Sequence, residues 1–141
     1  MELTLVTPDA AVKPLTPLQF PIPEDVIESM AKVLIENKGV GLAAPQVGIM
    51  QPFFITLVDK TLRVVCNPRI EVLSPKVFSH IEGCLTLPGF KTRVTRFYSI
   101  RLQAQDAMGK PFAWNCKDLY AAIIQHELQH LQGVLINGQI T

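Results

Sequence analysis

The sequence predicts an α+β fold, with mostly antiparallel sheets packed around a central buried C-terminal helix that carries an H-E-x-x-H motif. Three observations predict it. An amphipathic helical stripe begins at Pro23, short β-rich runs succeed one another from Pro52 onward, and a last helix carries apolar residues on nearly every side. The 141 residues have the size of one domain, able to bury about two-thirds of the unfolded surface around one core. No repeat, linker or low-complexity tract divides 1–141, which is read as a single domain.

The elements follow in order. Pro8, Pro14, Pro17, Pro21 and Pro23 punctuate the opening segment and predict an extended path over the surface, with at most short strands. Pro23 suits a first helical turn, Glu24 and Asp25 complement the helix dipole, and Val26, Ile27, Met30, Val33 and Leu34 form one stripe that should stop near Gly39. Strands are predicted at 53–58, 62–66, 70–73, 77–81 and 99–105. Residues 106–109 (Asp-Ala-Met-Gly) read as a turn that returns the chain through 110–115 as a hairpin partner. The last helix opens near Lys117 or Asp118 and runs to about Gln132, with Gly133 as its stop. Leu119, Tyr120, Ala121, Ala122, Ile123, Ile124, Leu128 and Leu131 surround it, and a helix apolar all round is a buried one.

Composition excludes several classes. Apolar residues make up 48% and charged ones 18%, but no uncharged run is long enough to span a membrane. Thirteen basic residues against twelve acidic leave a charge of +1 and no basic stripe, so nucleic acid is not an expected partner. The start Met1-Glu2-Leu3-Thr4-Leu5-Val6 lacks the basic and apolar regions of a secretory signal, which predicts a cytoplasmic protein. Cys66, Cys84 and Cys116 are an odd count in a chain that needs no disulfide framework, so at least one thiol is available for chemistry or metal.

The chemistry centres on His126-Glu127-Leu128-Gln129-His130. On a helix, positions i and i+4 face the same way, so both imidazoles reach one metal ion. Glu127, beside them, is placed to take a proton from an activated water as general base. Two unpartnered histidines on so apolar a helix would cost about 1–3 kcal/mol each, which argues against chance placement. A catalytic site of this kind takes a third protein ligand and keeps one open position. Residues 131–141 contain no His, Cys, Asp or Glu, so the third ligand must come from upstream.

The upstream candidates are Cys66, His80, Cys84, Cys116 and several carboxylates. Cys84 is the best placed, in Glu82-Gly83-Cys84-Leu85-Thr86, where glycine frees the backbone and Leu85 offers an adjacent N–H. By spacing alone a small buried thiol is an equal reading of it. Cys66 and Cys116 fall in strand-like runs and read as buried apolar thiols; His80 ends another such run and reads as a surface or hydrogen-bonded residue. A second segment, 39–48 (Gly-Val-Gly-Leu-Ala-Ala-Pro-Gln-Val-Gly), permits close backbone approach, and Gln46 offers an amide donor for an oxyanion. It matches neither a phosphate loop nor a dinucleotide fingerprint.

Gly41-Leu42-Ala43-Ala44-Pro45-Gln46, Glu82-Gly83-Cys84-Leu85-Thr86 and Gln125-His126-Glu127-Leu128-Gln129-His130-Leu131 together resemble the three signature segments of peptide deformylases, in the family's order and with similar separations. The resemblance covers roughly 24–136. It implies removal of the formyl group from N-formyl-methionine of newly made polypeptides. It implies one divalent metal ion, commonly Fe²⁺, with Zn²⁺, Ni²⁺ or Co²⁺ as substitutes, held by Cys84, His126 and His130. Glu127 would be the general acid and base, and the Gln46 side chain and Leu85 backbone N–H would hold the oxyanion. The substrate methionine would meet Val40, Leu119, Ala122 and Ile123, while Gly41 and Gly83 let its backbone lie close; ordinary core packing is an equal reading of those six from sequence.

The chain departs from the family pattern at Thr86, where Ser is usual, and at Gln129, where Asp is usual. Lys91 falls where many bacterial members carry Arg, and Glu82 and Arg96 resemble a pair that braces the cysteine loop. The trimmed ends imply a compact form with no C-terminal ribosome-docking helix; a monomer is expected. Two other readings use the same residues: a metallopeptidase acting on unformylated chains, and a non-enzymatic binder on the same scaffold.

Overall fold

The computed structural model describes residues 1–134. The element order is α1 (Pro8–Ala11), α2 (Glu24–Glu36), β1 (Gly41–Ala43), a 3₁₀ turn (Ala44–Val47), β2 (Phe53–Val58), β3 (Thr61–Val72), β4 (Val77–Cys84), β5 (Leu87–Phe97), β6 (Ser99–Gln105), β7 (Pro111–Lys117) and α3 (Asp118–Leu131). Antiparallel pairing joins β1-β2-β3-β6-β7 into one five-stranded sheet, and β4 with β5 into a two-stranded sheet. No helix among the described residues is long and apolar enough to cross a membrane. The expectation about a C-terminal docking helix falls outside the described residues.

The five-stranded sheet is covered on both faces where β2 runs. Phe53 and Ile55 point toward α2 and pack with Met30, Val33 and Leu34, whereas Phe54 joins Val65, Ile100, Leu102 and the α3 residues Ala121 and Ile124. This double burial explains why β2 reads as a continuous apolar run rather than an alternating one. On its other side α3 meets the β4–β5 hairpin through Gln125. The Gln125 side chain accepts from Phe97 N–H (2.9 Å) and donates to Phe97 O (2.8 Å), pinning the end of β5 to the helix. The helix therefore lies between two sheets, as its all-round apolarity predicts.

α2 ends at Glu36, where the Asn37 amide donates to Val33 O (2.8 Å), and the stripe predicted for it is buried at Val26, Met30, Val33 and Leu34. Gly133, with φ 77, ends α3 as expected: it donates to His130 O and Val134 donates to Gln129 O.

Four local readings differ from expectation. Pro8–Ala11 form a short helix inside the segment expected to be extended, with Pro8 in its first turn. The runs at 62–66 and 70–73 are one strand, β3, whose register shifts between Cys66 and Arg69, at Asn67-Pro68. Gly41–Ala43 form a short edge strand. β5 was not expected at all: it opens on Leu-Pro-Gly and is largely polar, because its outward face stays in solvent.

Candidate metal centre

β4 and α3 bring the chemistry together. On β4 the side chains of His80, Glu82 and Cys84 share one face by strand alternation, and that face meets the His126 and His130 side of α3. Cys84 Sγ lies 3.2 Å from His130 Nε2, and His130 Nε2 lies 3.2 Å from His126 Nε2. All three ligand atoms fall within 4.8 Å of one another. A tetrahedral ion with ordinary metal–nitrogen and metal–sulfur bond lengths sets its donors roughly 3.3–3.6 Å apart, so this trio fits one such ion with small adjustments. Its donors, one thiolate and two imidazoles, suit a borderline or soft divalent cation rather than a hard one.

Glu82 organises the ligand side. It is buried, its Oε1 is 2.8 Å from His126 Nδ1, and Arg96 donates to it through Nε (3.1 Å) and Nη2 (2.6 Å). The contact through Nδ1 leaves His126 Nε2 free for a metal. Burial works to raise the Glu82 carboxyl, but the hydrogen bonds from His126 and Arg96 and their charges prevail and hold it at about 2. His80 Nε2 stands 2.8 Å from Glu82 Oε2, too far off line for a hydrogen bond.

The two motif histidines have opposite tendencies. Burial opposes charge on both; at His126 the neighbours Cys84, Glu82 and Glu127 outweigh it and push the imidazole upward, while at His130 burial is reinforced by the charges of His126 and Arg96 and pushes it downward. His130 is therefore the readily available neutral donor.

Glu127 is held differently. Burial, with Glu82 nearby, lifts it to about 7 against the opposing pull of His126. Its Oε1 is buried with no hydrogen-bond partner among the described residues, a position that is costly unless a water or ligand completes it. Its Oε2 rests against Gly41, where a Cβ would stand 2.5 Å away. Gln46, 1% exposed, is fixed by Ala43 N–H, which donates to Oε1 (2.9 Å) and so aims Nε2 toward Cys84 Sγ, 3.7 Å off. Thr86 Oγ1 sits 3.0 Å from the same sulfur.

Gln46, Glu82, Cys84, His126 and Glu127 border a cavity of about 590 Å³. Val40, Gly41, Gln46, Gly83, Cys84, Leu85, Leu119, Ile123, His126 and Glu127 all line it, as does Lys91, so most of the sequence candidates share one space. Two candidates lie outside the wall: His130, which is buried and reaches the site through its contacts with Cys84 and His126, and Ala122, which is fully buried. Ala122 lies on the expected stripe, but it carries the shortest side chain there. Cys66 and Cys116 are core thiols, as expected. His80, expected to be a surface or hydrogen-bonded residue, is partly exposed, stands beside Glu82 and lines the cavity. Its i, i+2, i+4 spacing with Glu82 and Cys84 was the signal that could have placed it. Gln125 had no such signal, since its role depends on which strand end lies opposite.

An H-E-x-x-H helix between antiparallel sheets, with a cysteine from a neighbouring strand beside its two histidines, defines the class of α+β proteins built around a single-metal centre. Comparison narrows the class: the family model for polypeptide deformylase matches residues 7–141. The chain belongs to the polypeptide deformylase family. It is 38% identical over 122 residues to a peptide deformylase of Prochlorococcus marinus, a match covering 83% of this chain and 60% of that protein. The chain thus spans about three-fifths of the curated relatives' length. Its fold superposes on the peptide deformylase of Thermotoga maritima with TM-score 0.90 and 32% identity, covering 100% of this chain and 99% of the other. A probable peptide deformylase from Synechococcus phage S-SSM7 gives TM-score 0.88 and 28% identity, covering 96% and 98%.

Proposed function

We propose that this chain hydrolyses the N-formyl group of N-formyl-methionine on newly made polypeptides and releases formate. One observation carries the reading. Cys84, His126 and Glu127, whose Oε1 has no partner among the described residues, border one cavity, and His130 Nε2 converges on Cys84 Sγ and His126 Nε2 from beside it, 3.2 Å from each. Cys84, His126 and His130 would hold one divalent cation, Fe²⁺ natively, with Zn²⁺, Ni²⁺ or Co²⁺ as substitutes. When bound, the ion supplies Lewis acidity at the reacting centre.

The chain's own groups do the rest. Glu127, poised near neutrality, takes a proton from the attacking water at Oε1 and hands it to the departing amine. The water oxygen bonds to the formyl carbon as the carbon–nitrogen bond breaks, giving formate and a free α-amine. Gln46 Nε2, aimed by the Ala43 hydrogen bond, donates to the developing oxyanion together with the Leu85 backbone N–H. The methionine side chain lies along Leu119 and Ile123, with Val40 opposite, and Gly41 and Gly83 admit the substrate backbone. Every residue of the site comes from one chain, which supports action as a monomer, and the proposed substrates are nascent chains in the cytoplasm rather than nucleic acid.

The test is formate release from a formyl-Met peptide by protein loaded anaerobically with Fe²⁺ or with Ni²⁺. Release should occur with either ion and collapse in Glu127→Ala. No release with either ion sinks the proposal, and cleavage of unformylated peptides at internal bonds would place the chain among metallopeptidases instead.

A further inference from the structure

We propose that Gln129 is a positioning residue of the metal centre, fixing the guanidinium of Arg96 and through it the carboxylate that orients His126. This rests on the metal site of the proposed function and is independent of its substrate. Arg96 is 5% exposed and directs three nitrogens inward: Nε and Nη2 go to Glu82, and Nη1 donates to Gln129 Oε1 at 2.6 Å. Glu82 Oε1 then contacts His126 Nδ1 at 2.8 Å. Gln129 precedes His130 by one residue and follows His126 by three, so the contacts form a closed ring. It leaves α3 at Gln129, crosses to β5 at Arg96 and β4 at Glu82, and returns to α3 at His126.

A planar guanidinium gripped at one end by Glu82 can pivot about that pair; gripped at both ends it cannot. With Gln129 in place the Glu82 oxygens, and hence the His126 ring, are fixed before a cation arrives. The acceptor is also neutral. A carboxylate would draw on the Arg96 charge, whereas an amide oxygen satisfies the Nη1 donor and leaves that charge to Glu82. Without an acceptor, the Nη1 donor would be buried and unsatisfied.

The experiment titrates metal-stripped protein with Zn²⁺ against a chromophoric chelator, alongside a melt of the stripped protein to show that it is folded. Gln129→Leu keeps the bulk and removes the acceptor, and it should weaken Zn²⁺ binding about 10–100-fold, the usual range for an outer partner of a ligating histidine. Gln129→Asn, one methylene short, should behave the same way. Gln129→Glu retains an oxygen at that reach and should restore binding to within about threefold of wild type, without exceeding it. Unchanged Zn²⁺ affinity in the Leu and Asn variants, whatever their melting temperatures, would reduce Gln129 to a packing residue and overturn the proposal. Equal weakening in the Leu and Glu variants would also overturn it, since the acceptor oxygen would then not be the cause. Failure of the wild-type protein to bind Zn²⁺ would instead refute the metal centre itself.

Discussion

Replacing Gly41 by alanine should impair turnover by displacing Glu127, with the metal ligands left where they are. A Cβ built on Gly41 stands 2.5 Å from Glu127 Oε2, 2.9 Å from its Cδ and 3.0 Å from its Cγ, while ordinary contact begins at 3.4 Å. The carboxylate must therefore retreat by about 1 Å. Misplacing a reacting group by that distance lowers rates on the order of 10²-fold, or about 2.7 kcal/mol of barrier. Stability should change less, because β1 is a three-residue edge strand paired only with β2 and can yield slightly. The assay is kcat for formate release with bound metal measured in the same sample: kcat should fall about 100-fold with metal stoichiometry unchanged. Glu127→Asp withdraws the carboxylate by one methylene, so adding Gly41→Ala to that variant should do little further harm. A Gly41→Ala enzyme with wild-type kcat, or one whose effect simply multiplies with that of Glu127→Asp, would refute the steric argument.

Two further outcomes follow. Gln46→Glu keeps the oxygen that accepts from Ala43 N–H but loses the Nε2 donor; kcat should fall on the order of 10²–10³-fold with the melting temperature little altered, and an unchanged kcat would remove Gln46 from oxyanion binding. Burial, helped by Asp106, pushes the Cys66 thiol up to about 12 from an ordinary value of 9.0. The unfolded chain therefore loses this proton first, so the stabilising increment is complete below pH 9 and is lost as pH rises from there toward 12, by up to ~1.4 kcal/mol per pH unit. Urea unfolding of wild type and Cys66→Ala between pH 8.5 and 10.5 should show the steeper decline in wild type; parallel declines would contradict the assignment.

The sequence made the two long helices legible because each carries a period that packing then honours: α2 by one stripe, α3 by apolarity on every side. β5 stayed hidden because a two-stranded sheet with one face in solvent gives it little hydrophobic alternation, and because Pro88-Gly89 reads as a break. The split of β3 has a similar cause, since Asn67-Pro68 marks a register shift rather than an end. At the site, His126, Glu127 and His130 were legible because helical spacing is local, whereas Cys84 lies on a strand and only the family resemblance separated it from a buried thiol. Spacing did not place His80 or Gln125, and it misplaced Ala122. The first two depend on which strand faces which helix turn, and the third on side-chain length rather than on helical phase.

The three donors are also unequally distributed along the chain. His126 and His130 are four residues apart and assembled by α3 alone, whereas Cys84 is separated from His130 by 46 positions. An ion gripped by all three would staple a loop of that size, and closing such a loop carries an entropy penalty on the order of 3 kcal/mol. Before β4 docks, the helix could offer only a weak bidentate hold; after docking, the same ion acts as a cross-link across the interface. Metal capture and tertiary assembly would then be linked, the cation adding to the stability of the hairpin against the helix.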